Sequence, residues 1–357
     1  MSKILIAADG KGTSPIDSAN QPLSFDLAKK LFDKATYSDE FIFNDGLYNF
    51  IEPIIIRGSG KQGTPLRFSS RSKGGAVFKG LGKNTPFQLA NGEHQNGFVL
   101  RSGSWVEIDG LEICDIPYNA FDVASPNTHI VNCIVSRCGH AVKGRFGGTG
   151  ILAGPLAEGS IFEENYIEHT REHIVYISNG ASKCVVKNNI CMFACDADEL
   201  GCAIQVNGEG TLNGCLDNKI IGNTIIGATS RAILVLFGPN TEISGNICHN
   251  NKGPGIQLSM GSSKSKVVSN HIISDKSAFY ISKDNKVTSD VESTGNILYN
   301  TDSHYTPITV ELAQNFKSEH NIIKSASKYV ALVEGKPLDK SAWQIAGYDR
   351  SSDFGLV

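Results

Sequence analysis

A short motif, an Asn or Asp followed two positions later by an apolar residue, recurs through most of the chain at nearly constant spacing. The nine copies begin at Asp109, Asn132, Asn165, Asn189, Asn223, Asn246, Asn270, Asn296 and Asn321. The intervals are 23, 33, 24, 34, 23, 24, 26 and 25 residues. Periods of this length are typical of solenoids, in which each repeat forms one coil that stacks on the next. The repeat therefore predicts an all-β solenoid of parallel coils over about residues 109–325.

A second element keeps step with the motif: a four-residue segment whose second and fourth residues are generally apolar. Side chains alternate along a strand, so the third residue should face outward while its neighbours face a core. In stacking order the predicted outward residues are Asp122, Lys143, Tyr176, Gln205, Leu234, Gln257 and Tyr280. The repeat Asn residues are predicted to be structural, because Asn tolerates left-handed backbone geometry at bends and bonds to nearby backbone.

The amino-acid composition and net charge argue against some classes of function. The chain has 357 residues, of which 40% are hydrophobic and 19% charged, and its net charge is -3. It lacks the excess of basic residues that attracts nucleic acids, so nucleic acid is not an expected partner. It also lacks any apolar run of about 18 residues, so a membrane is not an expected partner either. The nine cysteines form no C-x-x-C pair, which predicts buried thiols. The start MSKILIAADG has no secretory apolar region, so the chain is either not exported or has lost a leader, in which case it is extracellular or particle-associated.

Both ends of the solenoid are predicted to be covered. Phe25, Ala28, Leu31 and Phe32 have helical spacing. A short capping helix is therefore expected within about residues 20–34, and the tail over about 335–357 is expected to cap the other end. The whole chain, 1–357, is predicted to be one domain.

Four N-terminal segments carry a family resemblance: QPLSFDLA (21–28), FIFNDGLY (41–48), PIIIRGSG (53–60) and GTPLRF (63–68). They resemble the opening of the pectate-lyase-like right-handed β-helix superfamily, and the later coils resemble its generic repeats. The resemblance implies a single-stranded right-handed parallel β-helix and a carbohydrate-active function. Polysaccharide lyases, epimerases, glycoside hydrolases and phage tailspikes all belong to that superfamily. The sharper signatures of mannuronan epimerases, polygalacturonases and chondroitinase-B-like lyases are absent, so chemistry must be read from the site.

The two long coils flank the coil that contains Glu172, His173 and Tyr176. Their extra residues include the loop-like segments GRFGGTG (144–150) and CDADE (195–199), which are predicted to wall a groove. If the strands of successive coils keep this register, nine polar side chains are predicted to share one surface strip: His140, Lys143, Arg145, Glu172, His173, Tyr176, Gln205, Asn207 and Arg231.

This strip suits β-elimination in an acidic polysaccharide, which needs a group that neutralises a uronate carboxylate, a base, and an acid for the leaving oxygen. Arg145, Arg231 or Asn207 could neutralise the carboxylate, while Lys143, His173 or Tyr176 could act as the base. The favoured catalytic set is Lys143, His173, Tyr176 and Arg231. The predicted substrate-binding set is Asp122, His140, Arg145, Glu172, Gln205, Asn207, Gln257 and Tyr280.

Two other functions stay open. A glycoside hydrolase would need two facing carboxylates, with candidates Asp122, Glu172, Asp196, Asp198 and Glu209. A non-catalytic glycan-binding or tailspike-like protein would use Tyr176 and Tyr280 to stack on sugars. No metal or cofactor is predicted, with Ca²⁺ at the acidic run Asp196, Asp198 and Glu199 as the alternative. The expected assembly is a monomer or a homotrimer.

Overall fold

The computed structural model describes residues 2–15, 20–37, 39–82, 94–139, 147–194 and 201–356. The chain divides into two compact units, Met1–Val175 and Tyr176–Val357. The prediction that the whole chain forms one domain stays a prediction.

Over its described residues, the first unit consists of one helix and short parallel strands. Its elements are β1 (Ser2–Ala7), β2 (Leu23–Ser24), α1 (Phe25–Phe32), β3 (Asp39–Phe43), β4 (Gly46–Asn49), β5 (Ile54–Ile56), β6 (Leu66–Ser70), β7 (Ala76–Lys79), β8 (Phe98–Arg101), β9 (Val106–Asp109), β10 (Glu112–Cys114), β11 (Phe121–Ala124), β12 (His129–Val131), β13 (Ile134–Cys138), β14 (Ile151–Ala153), β15 (Ile161–Glu163) and β16 (Tyr166–Thr170). From β3 onward, successive strands join a first, a second and a third sheet in turn. Each set of three strands is therefore one coil, and coils already begin at β3, well before residue 109.

Helix α1 is a predicted element that the structure confirms. The Ser24 hydroxyl accepts a hydrogen bond from the backbone N–H of Leu27 at 3.4 Å, which satisfies one free donor of the first turn. The helix buries Phe25, Ala28 and Phe32. Phe32 packs edge-on against Phe41 with ring centres 4.9 Å apart. Burying side chains of this size contributes about 1.5–3 kcal/mol each, so α1 stabilises the first coils of its unit.

The second unit repeats the three-strand coil. Its elements are β17 (Val175–Ser178), β18 (Val185–Lys187), β19 (Ile190–Met192), β20 (Cys202–Asn207), β21 (Lys219–Ile221), β22 (Thr224–Ile226), β23 (Arg231–Leu236), β24 (Glu242–Ser244), β25 (Ile247–Asn251), β26 (Ile256–Ser259), β27 (Lys266–Val268), β28 (His271–Ser274), β29 (Phe279–Ile281), β30 (Thr288–Ser289), β31 (Glu292–Thr294), β32 (Ile297–Asn300), β33 (Ile308–Val310), β34 (Ala313–Gln314), β35 (Lys317–Glu319), β36 (Ile322–Ser325), β37 (Ala331–Val333), β38 (Lys336–Leu338), α2 (Lys340–Ile345) and β39 (Asp353–Leu356). The third sheet of this unit has the order β17-β20-β23-β26-β29-β33-β37-β38.

The repeat Asn residues of the second unit are buried and form a hydrogen-bonded ladder. Asn246 is typical: its Nδ2 donates to the Ile220 carbonyl at 2.9 Å and to Asn270 Oδ1 at 2.9 Å, while its Oδ1 accepts from the Asn223 backbone N–H at 2.9 Å. The structural role is therefore confirmed, but the predicted geometry is wrong for these residues. The left-handed backbone falls on the residue before the Asn, as at Ser269 with a φ of 54° and Gly295 with a φ of 64°. The Asn itself turns inward and satisfies backbone groups of the neighbouring coils.

The C-terminal tail covers the last coil of the second unit. Trp343 on α2 is fully buried and stacks on Tyr348 with ring centres 4.3 Å apart. The indole N–H donates to the buried Asp349 carboxylate at 2.9 Å. The Asp349 carboxylate also accepts a 2.9 Å hydrogen bond from the side chain of Asn321, and so ends the Asn ladder.

Eight of the nine cysteines lie in the part of the chain that the structure describes. All eight are free and buried, as predicted: Cys114, Cys133, Cys138, Cys184, Cys191, Cys202, Cys215 and Cys248. Burial raises the pKa of the Cys133 and Cys248 thiols to about 12, so they act as small apolar side chains. Over the described residues, no helix combines the length and the apolar character that crossing a bilayer requires.

Candidate functional site

The outward residues of the third sheet in the second unit line up in a row. Gln205, Leu234, Gln257, Tyr280 and Thr309 occupy successive rungs in register. Tyr176 is the outward residue of β17, which neighbours β20. We call these six residues the third-sheet strip. The predicted stacking order from Gln205 to Tyr280 is confirmed.

The floor of the strip is less exposed than its two tyrosines. Gln205, Leu234 and Gln257 have relative exposures of 6%, 5% and 6% although they point out of the sheet. Tyr176 and Tyr280 are half-buried. Amide and aliphatic groups with a tyrosine on either side combine apolar area with a few polar groups, a composition that is typical of ligand-binding surfaces.

Tyr176 and Asn207 are in direct contact. The Asn207 Nδ2 donates to the Tyr176 hydroxyl oxygen at 3.2 Å. The Asn207 Oδ1 accepts from the backbone N–H of Glu209 at 2.9 Å, which fixes the orientation of the amide. A donor aimed at a phenol oxygen stabilises negative charge that develops there, so this pair is suited to moving a proton.

Arg231 is held at the first position of β23 by neutral groups. Its Nε donates to Gln257 Oε1 at 2.5 Å and its Nη1 donates to Ser230 Oγ at 3.1 Å. Among the described residues, none of the ion pairs joins Arg231 to a carboxylate. In the part of the chain that the structure describes, its guanidinium is therefore oriented by neutral groups and not by an ion pair.

A chain of hydrogen bonds runs from Gln257 to an acidic residue. Gln257 Nε2 donates to Ser259 Oγ at 3.0 Å, Ser259 Oγ contacts Ser282 Oγ, and Ser282 Oγ donates to Asp284 Oδ2 at 2.7 Å. Since the Ser282 proton goes to Asp284, the Ser259 proton must go to Ser282. Every bond from Arg231 onward thus points in one direction, from a cation to a carboxylate.

Tyr280 faces two carboxylates. Burial, a hydrogen bond with Glu311 and the negative charges of Glu311 and Asp284 raise the pKa of Tyr280, while Arg231 opposes the shift. Glu311 Oε2 also accepts from the backbone N–H of Lys283 at 2.8 Å. Tyr280 therefore stays protonated near neutral pH and serves as a hydrogen-bond donor or a stacking surface.

The first unit holds the other described candidates. Burial raises the pKa of Asp122, whose Oδ2 accepts from Asn96 Nδ2 at 3.1 Å. Glu172 Oε2 accepts from the Gly147 backbone N–H at 2.6 Å, and Glu172 Oε1 lies 3.7 Å from Nε2 of the buried His173. The structure therefore brings Glu172 and His173 together in this unit.

Several predicted site residues lie outside the described residues: His140, Lys143, Arg145, Asp196, Asp198 and Glu199. The rung next to Asp122 that the sequence pattern gave to Lys143 is occupied by Leu152. The strand that stacks on β11 in the third sheet is therefore β14, which begins at Ile151.

The residues of the site that are absent from the sequence-based set include Ser259, Ser282, Asp284 and Glu311. Ser259 pairs with Leu236, which pairs with Asn207. Ser282 and Glu311 directly follow strand partners Ile281 and Val310 and extend the same row. The row that contains Asn207 could therefore have been followed further in the sequence. Asp284 lies beyond the end of β29 and carries no periodic signal.

No metal site is apparent in the described ranges: no group of three or more His, Cys, Asp and Glu side chains there could hold an ion. The predicted absence of a cofactor, and its Ca²⁺ alternative at the run 196–199, stay predictions.

Comparisons with known proteins address the fold. The model of the right-handed β-helix region family matches residues 87–220 and 211–323, more than half of the chain. The A-module of a mannuronan C-5 epimerase from Azotobacter vinelandii has a TM-score of 0.64 at 15% identity, covering 93% of this chain and 94% of that one. A mannuronic-acid-specific family 6 polysaccharide lyase from human gut microbiota has a TM-score of 0.57 at 12% identity, covering 100% and 83%.

A family 87 α-1,3-glucanase in complex with nigerose has a TM-score of 0.64 at 16% identity, covering 86% of this chain and 58% of that one. No curated protein sequence matches the chain. The family match and these structures confirm the predicted right-handed parallel β-helix. At such low identities the structural likeness establishes the fold alone.

Proposed function

Because the chain belongs to the family of right-handed β-helix regions, and its second unit carries an oriented arginine beside a row of amides and tyrosines, we propose that it is a polysaccharide lyase. It binds a uronic-acid-containing polysaccharide along the third-sheet strip and cleaves it by β-elimination. The observation that carries this proposal is the guanidinium of Arg231, which Gln257 and Ser230 hold and which no carboxylate among the described residues contacts.

Arg231 provides the carboxylate recognition that this reaction requires. An arginine fork binds a carboxylate through two parallel hydrogen bonds, and the bonds already made by Nε and Nη1 set the plane of the guanidinium. A uronate carboxylate placed against it loses part of its negative charge to the hydrogen bonds. The proton on the adjacent ring carbon becomes more acidic as a result.

Tyr176 is the described residue best placed to move that proton. In the elimination a base takes the proton from C5, the bond from C4 to the glycosidic oxygen breaks, a C4–C5 double bond forms, and the leaving oxygen takes up a proton. Asn207 stabilises negative charge on the Tyr176 oxygen, so Tyr176 acts as the base in its phenolate form, accepts the C5 proton, and gives that proton to the leaving oxygen from the hydroxyl so formed. The catalytic roles predicted for Lys143 and His173 stay predictions.

The proteins of similar structure support the proposal of a carbohydrate ligand. The similar structures are an epimerase and a lyase named for mannuronan or mannuronic acid and a glucanase bound to nigerose. Successive rungs are roughly 4.8 Å apart, comparable to the length of one sugar residue, so an extended glycan can follow the strip rung by rung.

The test is turnover on a panel of uronate polymers. Alginate, polygalacturonate, hyaluronan, chondroitin and heparosan are incubated with the purified protein, and the ultraviolet absorbance of the unsaturated product is followed. Growth of this absorbance on at least one polymer, with mass spectrometry showing no water incorporated, is the expected result. Tight binding of a polymer with no turnover would instead identify a glycan-binding protein and overturn the lyase.

One observation favours glycoside hydrolysis as a second candidate. The raised pKa of Asp122 is the property of a carboxylic acid that protonates a leaving oxygen, and Glu172 is a second carboxylate in the same unit. On this reading a neutral glucan yields saturated products with new reducing ends, and Asp122→Asn abolishes their release. Formation of unsaturated products from a uronate polymer would contradict the glycoside hydrolase proposal.

A further inference from the structure

The second sheet of the second unit turns a largely apolar surface outward. Its strands β19, β22, β25, β28, β32 and β36 are neighbours in this order, and each contributes two outward side chains to the surface. Six of these twelve residues are isoleucines: Ile190, Ile226, Ile247, Ile273, Ile297 and Ile322. The others are Met192, Thr224, His249, His271, Tyr299 and Lys324. We call these residues together the second-sheet face, and Lys324 is the only lysine, arginine, aspartate or glutamate among them.

The second-sheet face is exposed, and its rungs are in register. Ile190 and Ile247 have relative exposures of 44% and 40%, and the other four isoleucines are half-buried. One column of the face runs through all six strands without a break: Ile190, Thr224, Ile247, His271, Ile297 and Ile322. The side chains therefore form ridges about 4.8 Å apart. A contiguous apolar surface of this extent is typical of a site that another molecule covers.

The first sheet of the same unit has the opposite character. Lys219, Glu242, Lys266, Glu292 and Lys317 occupy successive rungs of its outward surface, with alternating charge. Lys219 Nζ lies 3.5 Å from Glu242 Oε2. A mixed row of both charges is typical of a surface that stays in contact with water. The apolar character of the second-sheet face is therefore not a general property of these coils.

The second-sheet face is large enough for an interface between two proteins. Each outward residue of a sheet occupies about 4.8 Å by 7 Å, so the face covers roughly 400 Å² before the relief of the side chains is counted. Two such faces bury on the order of 1,000 Å² together, which is the size at which specific interfaces begin. A complex of two copies therefore needs little more than the face itself.

We infer that the second-sheet face binds the same face of a second copy of this chain, so that two copies form a twofold-symmetric dimer. Sheets pack face to face about 10 Å apart with interdigitating side chains, and a second copy repeats the spacing of the rungs along the whole face. A strongly charged partner would find only Lys324 to pair with on this face. Contact between two identical surfaces is the arrangement of an isologous dimer. The inference does not depend on the proposed lyase function.

The position of Lys324 favours one direction of packing. A twofold axis along the strands reverses the order of the coils, so that β19 of one copy lies over β36 of the other. The two Lys324 side chains then lie at opposite ends of the interface, and Ile190 meets Ile322 of the partner subunit. A twofold axis along the stack of coils would instead bring both Lys324 side chains to the same rung, where like charges repel. The dimer is therefore expected to be antiparallel.

The dimer is tested by sedimentation equilibrium of the purified chain at several protein concentrations. The central variant is Ile247→Lys, which places a charge in the middle of the face at a position that is exposed in the single chain. Ile221→Lys is the matched control, because Ile221 is an outward isoleucine of β21 in the first sheet of the same unit. Circular dichroism confirms that each variant is folded.

The wild type is expected to be a dimer. Ile247→Lys is expected to raise the dissociation constant of the dimer by about 30-fold or more, because an ammonium group enters an apolar contact. Ile221→Lys is expected to stay within about threefold of the wild type, as surface substitutions usually do. A monomeric wild type would leave the face to a different protein and overturn the inference. A trimer, or a dimer that Ile247→Lys weakens no more than Ile221→Lys does, would overturn it as well.

A charge exchange tests the antiparallel direction. Ile190→Glu and Ile322→Lys each place an unpaired charge in the interface, and each is expected to weaken the dimer by about tenfold. The double variant pairs the two new charges across the antiparallel interface and is expected to bind about tenfold more tightly than either single variant. Within one copy the two positions are five rungs, or roughly 24 Å, apart, so the charges cannot pair there. A double variant that dimerises no more tightly than the single variants would rule out the antiparallel dimer.

Discussion

The Nδ2 atom of Asn207 lies 3.2 Å from the hydroxyl oxygen of Tyr176, and the same amide is anchored by the Glu209 backbone. The two residues are 31 positions apart in the chain and meet only because adjacent coils stack in register. Their contact gives Tyr176 a defined chemical environment that an exposed strand tyrosine would not have.

Tyr176→Phe is therefore expected to lower kcat by roughly 100-fold or more with a much smaller effect on KM, because it removes the group that transfers the proton and keeps the ring. The rate of unsaturated product formation measures this. Tyr299→Phe is the matched control, since Tyr299 lies on the second sheet of the same unit, where Lys324 Nζ is 5.1 Å from its ring centre. Equal losses in both variants would show that the effect is structural.

The Asn ladder leads to a stability prediction. Asn246→Ala removes the donor to the Ile220 carbonyl and to Asn270, and leaves the Asn223 backbone N–H without its acceptor. The free energy of unfolding should fall by about 3 kcal/mol, because buried polar groups lose their partners. Urea unfolding followed by circular dichroism tests this, with the exposed Asn285→Ala expected to change stability by less than about 0.5 kcal/mol. Similar urea midpoints for the two variants would contradict the energetic role of the ladder.

A pH prediction follows from the first sheet of the first unit. His129 Nε2 lies 2.7 Å from Glu163 Oε1, and its Nδ1 lies 3.5 Å from Glu107 Oε2. Although burial lowers it, the pKa of His129 is raised overall by its hydrogen bonds to Glu107 and Glu163, while the His129 and Arg67 partners lower the pKa of Glu107. The contribution of charged His129 to stability is therefore present below about pH 6.5 and is lost as the pH rises through its raised pKa.

His129→Gln should accordingly destabilise the protein more near pH 5.5 than near pH 9, at values chosen on either side of the ordinary His pKa of about 6.5. Glu107 is still ionised at the lower of these values because its pKa is lowered. Thermal unfolding at the two pH values measures the difference. His304→Gln, at an exposed pair with Asp302, should show little effect at either pH. A larger loss for His129→Gln at the alkaline pH would contradict this assignment.

The fold could be predicted from the sequence because, in a solenoid, residues that stack on one another recur in the sequence at the spacing of one coil. The rungs Gln205, Leu234, Gln257 and Tyr280 follow from the coil period and the two-residue alternation of a strand. The period alone cannot say on which side of a strand an insertion falls, which is why the rung given to Lys143 belongs to Leu152. It also cannot distinguish a bend residue from a buried ladder residue, since both recur once per coil. Asp284 could not be predicted as a site residue from the sequence, because it contacts the site through hydrogen bonds and its position does not recur from coil to coil.

The most direct test of uronate binding by Arg231 is the kcat/KM for β-elimination of Arg231→Ala, compared with the wild type and with Arg350→Ala, at an exposed arginine of the same unit. A carboxylate held by an oriented guanidinium predicts a roughly 30- to 100-fold loss for Arg231→Ala. Arg350→Ala should stay within about twofold of the wild type, as surface substitutions usually do. Full elimination activity in Arg231→Ala would contradict the proposed lyase site, because the uronate would then not be bound and cleaved along the third-sheet strip.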